Sequence, residues 1–288
     1  MRLAGLLYDI RKKVGRYKGR ALNKTFTLER RTGLSGLHNS YVFGPVMSRR
    51  LGVSLGINVL PKTRKLCNFE CPYCELGFTD PSVKEKLPVV ADVINELREY
   101  LQHYKKEGYA IDAITFAGNG EPTMHPKFEQ LVDETIKLRD ELAPEANIAV
   151  LTNATKIGDE SVFRALQKVD ERQVKLDAGT EEVFRLVDLP IEGITLSSIV
   201  DNISKFHGDM TIQTMFVRGY YGDKKVDNTT PEEVSAWLKL LDQLRPNKIQ
   251  IYSLDRAPAA PSLQKVGRDD LDAIASKVRE LGLTIEVF

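Results

Sequence analysis

Gly52-Val53-Ser54-Leu55-Gly56-Ile57-Asn58-Val59-Leu60 ends at Pro61, and the chain then runs into Cys67-Asn68-Phe69-Glu70-Cys71-Pro72-Tyr73-Cys74. A short aliphatic run closed by proline reads as a buried strand. The loop that follows therefore delivers three thiols to the strand's C-terminal end. These are the only cysteines among 288 residues, and their C-x3-C-x2-C spacing gathers them in one loop.

Outward from this unit, helical and extended patterns alternate. Val89 to Lys106 carries Val93, Leu97, Leu101 and Tyr104 at helical spacing and stops at Gly108. A second strand, 111–117, breaks at Gly118-Asn119-Gly120. Helices near 126–142 and 159–168 precede strands at 147–152 and 173–177. Further helices lead to a strand at 211–217. Pro231 opens a helix to Leu244 at a position that tolerates proline. A sixth strand at 248–252, a helix at 268–281 and a short tail strand at 283–287 follow. Six βα units with short apolar strands imply parallel pairing and right-handed crossovers. The expected fold is α/β, a partial (β/α)6 TIM-like barrel over 41–288 with a basic N-terminal extension over 1–40. Chemistry in such barrels gathers at the C-terminal ends of the strands. There the sequence sets Cys67–Cys74, Gly118–Glu121, Thr152-Asn153, Asp177-Ala178-Gly179 and Tyr252-Ser253.

Composition bounds the function classes. Hydrophobic content of 42% and charged content of 28% are those of a globular protein. Neither a signal-peptide core nor a run long enough to span a membrane is present, and an odd, clustered set of thiols suits a reducing compartment. The expectation is a cytoplasmic protein with no membrane partner. The net charge of +1 hides an asymmetry, because residues 1–31 hold ten Lys/Arg against Asp9 and Glu29. Such an arm suits RNA or an acidic partner, or else a solvated segment on an acidic body.

Three readings of the thiols stay open at this point. Iron–sulfur clusters are held by cysteine thiolates, and a cubane held by three of them leaves one iron free for a small molecule. Structural zinc would need a fourth ligand, from His38, His103, His125 or His207, with His125 best placed just past the second strand. Three unliganded thiols are the last reading, at a cost in oxidation.

The cysteine loop after the first strand, with Tyr73 just before its last cysteine, resembles the signature of the radical SAM superfamily. Ala117-Gly118-Asn119-Gly120-Glu121-Pro122-Thr123 after the second strand is similar to that family's GGEP turn, and the likeness extends over 41–288. The resemblance implies a [4Fe–4S] cluster on Cys67, Cys71 and Cys74 whose fourth iron chelates S-adenosyl-L-methionine (SAM). Reductive cleavage of SAM would yield a 5′-deoxyadenosyl radical that abstracts hydrogen from substrate. It also implies cofactor contacts. Tyr73 would lie against adenine, and the Gly118-Asn119-Gly120 turn would approach the methionine moiety. Glu121 would orient that turn or pair with the ammonium. Thr152, Asn153, Lys175 and Asp177 would reach the carboxylate and ribose, and Gln213, Tyr252 and Ser253, with Asp255, would complete the adenosine pocket. No residue is assigned to the hydrogen-transfer step itself.

Phe43-Gly44-Pro45-Val46-Met47-Ser48-Arg49-Arg50-Leu51-Gly52 resembles a G-P-x-x-S-R-R-L-G segment in a branch grouped with wyosine-type tRNA enzymes, with Met47 where proline is usual. Arg49 and Arg50 would neutralise the cofactor anion, hold an anionic substrate or close the barrel by an ion pair. No cysteines remain for a second cluster, and an appended substrate domain after Phe288 is not expected. The expected function is a radical SAM oxidoreductase acting on an unknown substrate, tRNA or another nucleic acid, with an electron donor such as flavodoxin or ferredoxin. The alternatives are an activase or modifier of a partner protein and a non-catalytic metal-binding interaction module.

Overall fold

The computed structural model describes residues 36–288. Most of the expected extension 1–40, with its basic residues, lies outside the described residues. In chain order the elements are β1 (Val42–Ser48), β2 (Gly52–Ile57), α1 (Val90–Glu107), β3 (Ala113–Phe116), α2 (Phe128–Leu142), β4 (Asn147–Thr152), α3 (Glu160–Lys168) and β5 (Glu171–Lys175). There follow α4 (Glu181–Val187), α5 (Leu196–Ser204), β6 (Thr211–Met215), β7 (Val217–Tyr221), β8 (Lys224–Asp227), α6 (Pro231–Leu244), β9 (Lys248–Tyr252), β10 (Leu263–Lys265), α7 (Arg268–Glu280) and β11 (Ile285–Val287).

The six expected strands are β2, β3, β4, β5, β6 and β9. They pair in parallel in that order, as a curled, open half-barrel. Period-two alternation decides which side chains face the helices. Leu55, Ile57, Ile114, Phe116, Ile148, Val150, Val174, Ile212, Ile249 and Ile251 are all fully buried. Phe116 meets Phe128 of α2 edge to face at 5.6 Å between ring centroids, which fixes that side as the outer one. Several of the intervening positions are polar. Ser54 and Thr115 share a hydrogen bond of 2.7 Å. Gln213 donates to both Gln173 and Gln250, and Gln250 donates to Glu286. The concave face therefore carries hydroxyls and amides, with Ala149 and Leu151 among them, where a closed barrel is filled by apolar layers.

Two features differ from the sequence expectation. The sheet has eight strands, because β11 extends it in parallel beside β9 and β1 adds an antiparallel hairpin partner to β2. The 211–217 segment is divided between two sheets. β6 stays in the barrel, while β7 leaves it to form a three-stranded antiparallel sheet with β8 and β10. Asn228 stabilises this corner, accepting from the Val217 N–H and donating to the carbonyls of Asp177 and Met215. Gly52, at the end of the β1–β2 turn, has φ +72°. A Cβ there would stand 2.3 Å from the Asp112 carboxylate, which accepts from the Val53 N–H. Among the described residues no helix is long and apolar enough to cross a membrane.

Candidate functional site

The cysteine loop lies across the C-terminal ends of β2, β3 and β4, and the glycine–glutamate turn holds it there. Leu66, just before Cys67, donates its N–H to the Asn119 carbonyl (2.8 Å) and accepts from the Glu121 N–H (3.0 Å). Glycine is required at 120 because φ is +139° and a Cβ would fall 1.9 Å from the Leu66 carbonyl oxygen. At Gly118 a Cβ would meet the Asn58 side chain at 2.6 Å. The close approaches these glycines permit in this structure are to the protein's own backbone and to Asn58. The Asn119 side chain accepts from the His38 N–H and donates to the carbonyls of His38 and Pro61. It ties the segment before β1 to the end of β2.

Glu121 is buried and collects four donors: the Thr123 N–H and hydroxyl, the Thr152 hydroxyl and the Asn153 N–H. Burial pushes its carboxyl above the ordinary range, and these donors oppose that shift. The Asn153 amide donates to Asn68 at 2.7 Å and stands 3.8 Å from the Cys67 sulfur. Glu121 thus couples the ends of β3 and β4 to the cysteine loop. Glu121→Gln would force an amide NH2 against the Asn153 or Thr123 donors. It is expected to lower stability in urea unfolding by about 2 kcal/mol.

A second group braces the loop from the other side. The Tyr73 hydroxyl and the Lys175 ammonium both donate to Asp177, whose other oxygen accepts from the Met215 N–H at 2.8 Å. Lys175 also pairs with Asp188 at 3.0 Å and lies 4.5 Å from the centroid of the Tyr73 ring. Asp188 was not singled out from sequence. It follows α4 in a segment that pairs with the loop, through Glu70 N–H to Asp188 O and Ile191 N–H to Asn68 O. The Cys71 thiol stands 3.5 Å from its carboxylate. One ammonium cannot balance two buried carboxylates, so burial carries Asp188 up to about 7, while Lys175, held by both acids, stays well above its ordinary value.

Burial also pushes the Cys67 thiol up to about 12 and raises Cys71. The cations needed for thiolates are present. Lys65 is buried, and although burial opposes its charge, Cys74, Cys67, Glu70 and Cys71 hold its pKa above normal. Its ammonium pairs with Glu70 at 3.1 Å and donates to the Gly77 carbonyl. Three unbridged thiols with buried Lys65 and half-buried Lys175 beside them fit an anionic iron–sulfur cluster. They fit zinc less well, because His125 has both ring nitrogens engaged, with Pro88 O at 3.1 Å and the Lys127 N–H at 3.0 Å. Among the described residues no three His, Cys, Asp or Glu side chains converge as around a single ion.

The structure therefore brings Cys67, Cys71, Cys74, Tyr73, Glu121, Thr152, Asn153, Lys175 and Asp177 together. Ser253 stands apart: its hydroxyl donates to Phe216 O and accepts from the Val266 N–H, joining the barrel to the small sheet. Gln213 lies in the amide ladder of the concave face, and Tyr252 sits under Arg50.

The Radical SAM superfamily profile matches residues 64–229. A UPF0026 protein of Synechocystis is 31% identical over 216 residues, covering 73% of this chain and 74% of that protein. A GTPase Obg of Brachyspira hyodysenteriae is 29% identical over 260 residues, which are 88% of this chain and 35% of that protein, so this chain spans only a minor part of it. The fold of a radical SAM methyltransferase from Sphaerobacter thermophilus superposes with a TM-score of 0.58 at 14% identity, covering 82% of this chain and 65% of that one.

Proposed function

The chain belongs to the radical SAM superfamily, and from that membership we propose that it is a hydrogen-abstracting enzyme that acts on RNA. The superfamily's cofactors are a [4Fe–4S] cluster and SAM, and Cys67, Cys71 and Cys74 are the residues that would hold the cluster. When bound, they supply a 5′-deoxyadenosyl radical from one-electron cleavage of the sulfonium.

The protein's own contribution is placement and charge. Lys65 offsets part of the negative charge of the thiolates, while Lys175, beside Cys71, is shared with Asp177 and Asp188. Glu121 and Asn153 hold the first cysteine against the ends of β3 and β4, and Tyr73 with Asp177 holds the loop near its last cysteine. The polar concave face offers hydrogen bonds to a polar substrate. The observation supporting this reading is the set of three free thiols in one loop beside the buried Lys65. Anaerobic reconstitution is expected to give about four irons per chain. Dithionite with SAM should then release 5′-deoxyadenosine. A zinc-loaded, colourless protein that never cleaves SAM would return the molecule to the metal-module class.

RNA is favoured over a partner protein by the ten Lys/Arg within residues 1–31. Each phosphate contact steepens the salt dependence of binding. Transfer RNA affinity is therefore expected to fall steeply between 50 and 200 mM salt, by about a hundredfold or more, and to weaken when residues 1–31 are removed. Affinity indifferent to both would favour the partner-protein reading. Three clustered thiols and no disulfide suit the reducing cytoplasm, with flavodoxin or ferredoxin as electron donor.

A further inference from the structure

In the Ser48-Arg49-Arg50-Leu51-Gly52 turn, every polar position but one has a structural occupation. The Ser48 hydroxyl accepts from the N–H groups of Arg50 (3.2 Å) and Leu51 (3.1 Å), closing the turn. Gly52 takes the left-handed conformation against Asp112. Arg49 pairs with Asp255, which Lys265 also grips at 3.0 Å, so this arginine straps the β1–β2 hairpin to the loop after β9. Arg50 forms no ion pair among the described residues. Its guanidinium lies over the Tyr252 ring, 4.5 Å from the centroid, and its Nη1 is buried without an acceptor among the described residues.

A buried, unmatched guanidinium N–H costs free energy unless a ligand supplies an acceptor. The place is informative. Tyr252 is the last residue of β9, so Arg50, over its ring, lies at the C-terminal end of that strand, the end of the half-barrel that carries the cysteine loop. The neighbouring carboxylate, Asp255, is already shared by Arg49 and Lys265. Contact with the Tyr252 ring positions the guanidinium and leaves its Nη1 to meet an oxyanion.

We propose that Arg50, stacked on Tyr252 at the mouth of the barrel, is the subsite that anchors an oxyanion of the substrate, a phosphate or a carboxylate. The inference rests on the radical SAM reading for the word substrate, but the anion subsite can be tested independently of SAM cleavage. Inorganic phosphate and acetate, titrated calorimetrically into the reconstituted, SAM-loaded protein, are the two probes. Stronger binding of phosphate points to a nucleotide backbone or phosphate ester, and stronger binding of acetate to a carboxylate.

Arg50→Met is expected to weaken the preferred probe at least about tenfold, the equivalent of 1.4 kcal/mol. Arg50→Lys should recover part of that loss, since it restores charge without the guanidinium. Iron content and circular dichroism of each variant separate loss of the subsite from loss of fold. The proposal is overturned if the wild-type protein binds neither probe, if Arg50→Met binds as well as wild type, or if the anion and SAM exclude one another, which would make Arg50 a cofactor contact. A protein that binds phosphate through Arg50 but never cleaves SAM would keep the subsite and refute the enzymatic reading.

Discussion

Cys71→Ala is expected to abolish iron binding and SAM cleavage together while the barrel stays folded. Cys71 is buried, and its sulfur approaches Asp188 at 3.5 Å. Removing that sulfur from the apo protein costs only about 1–2 kcal/mol in lost packing, against the roughly 5–15 kcal/mol of a typical domain. The metal side is different, because only three cysteines exist in the whole chain and two thiolates cannot hold a cubane against loss to solvent. Iron per chain should fall from about four to below about one, and 5′-deoxyadenosine should drop to the protein-free background. Circular dichroism and urea unfolding of the apo form should remain close to wild type. Full iron in Cys71→Ala would mean that another protein atom completes the set, which would remove the coordination site left for SAM.

The second large effect comes from a residue with no side chain. Gly120→Ala puts a methyl group 1.9 Å from the Leu66 carbonyl oxygen and 2.5 Å from its carbon, both backbone atoms. Backbone cannot swing aside as a flexible side chain can. The two hydrogen bonds that flank this bridge, Leu66 N–H to Asn119 O and Glu121 N–H to Leu66 O, would have to break. With φ at +139° the strain of an L-residue adds to the clash. The expected loss is about 3 kcal/mol or more, with iron retention impaired because Leu66 leads directly into Cys67. Gly77→Ala is the matched control: φ is +78° and nothing lies within 4 Å of the added methyl. It should cost about 1 kcal/mol, from backbone strain alone. Equal effects from the two substitutions would show that loop docking does not depend on the closeness of residues 120 and 66.

Much of this was legible in the chain. The strands at 111–117, 147–152, 173–177 and 248–252 lie within two or three residues of β3, β4, β5 and β9, because apolar runs bounded by glycine and proline are local signals. The glycine–glutamate turn was legible from its resemblance to the GGEP motif, but its partner was not. Nothing near residue 120 in sequence says that Leu66 presses against it. Asp188 was missed for the same reason: an acidic residue after a short helix looks solvated until the 188–191 segment is seen pairing with the cysteine loop. The 211–217 run reads as one strand because its apolar pattern is continuous, yet Asn228 bonds both sides of Phe216 and parts it between two sheets. β1 was hidden inside the segment that carries the G-P-x-x-S-R-R-L-G resemblance.

By itself, the sequence determined which atoms are available for chemistry and in what order the βα units come. Three thiols within eight positions, glycines after the second strand and repeated apolar runs are properties of neighbours along the chain, and covalent connectivity preserves them in any fold. Only the tertiary structure decided which polar groups neutralise one another. Lys175 was assigned between two aspartates, Glu121 among four donors and Arg49 to Asp255, while Arg50 kept an acceptor position open. Hydrogen bonding and burial act over a few ångströms of space, whatever the separation in sequence, so the partners of these buried groups became known only once the strands had curled together.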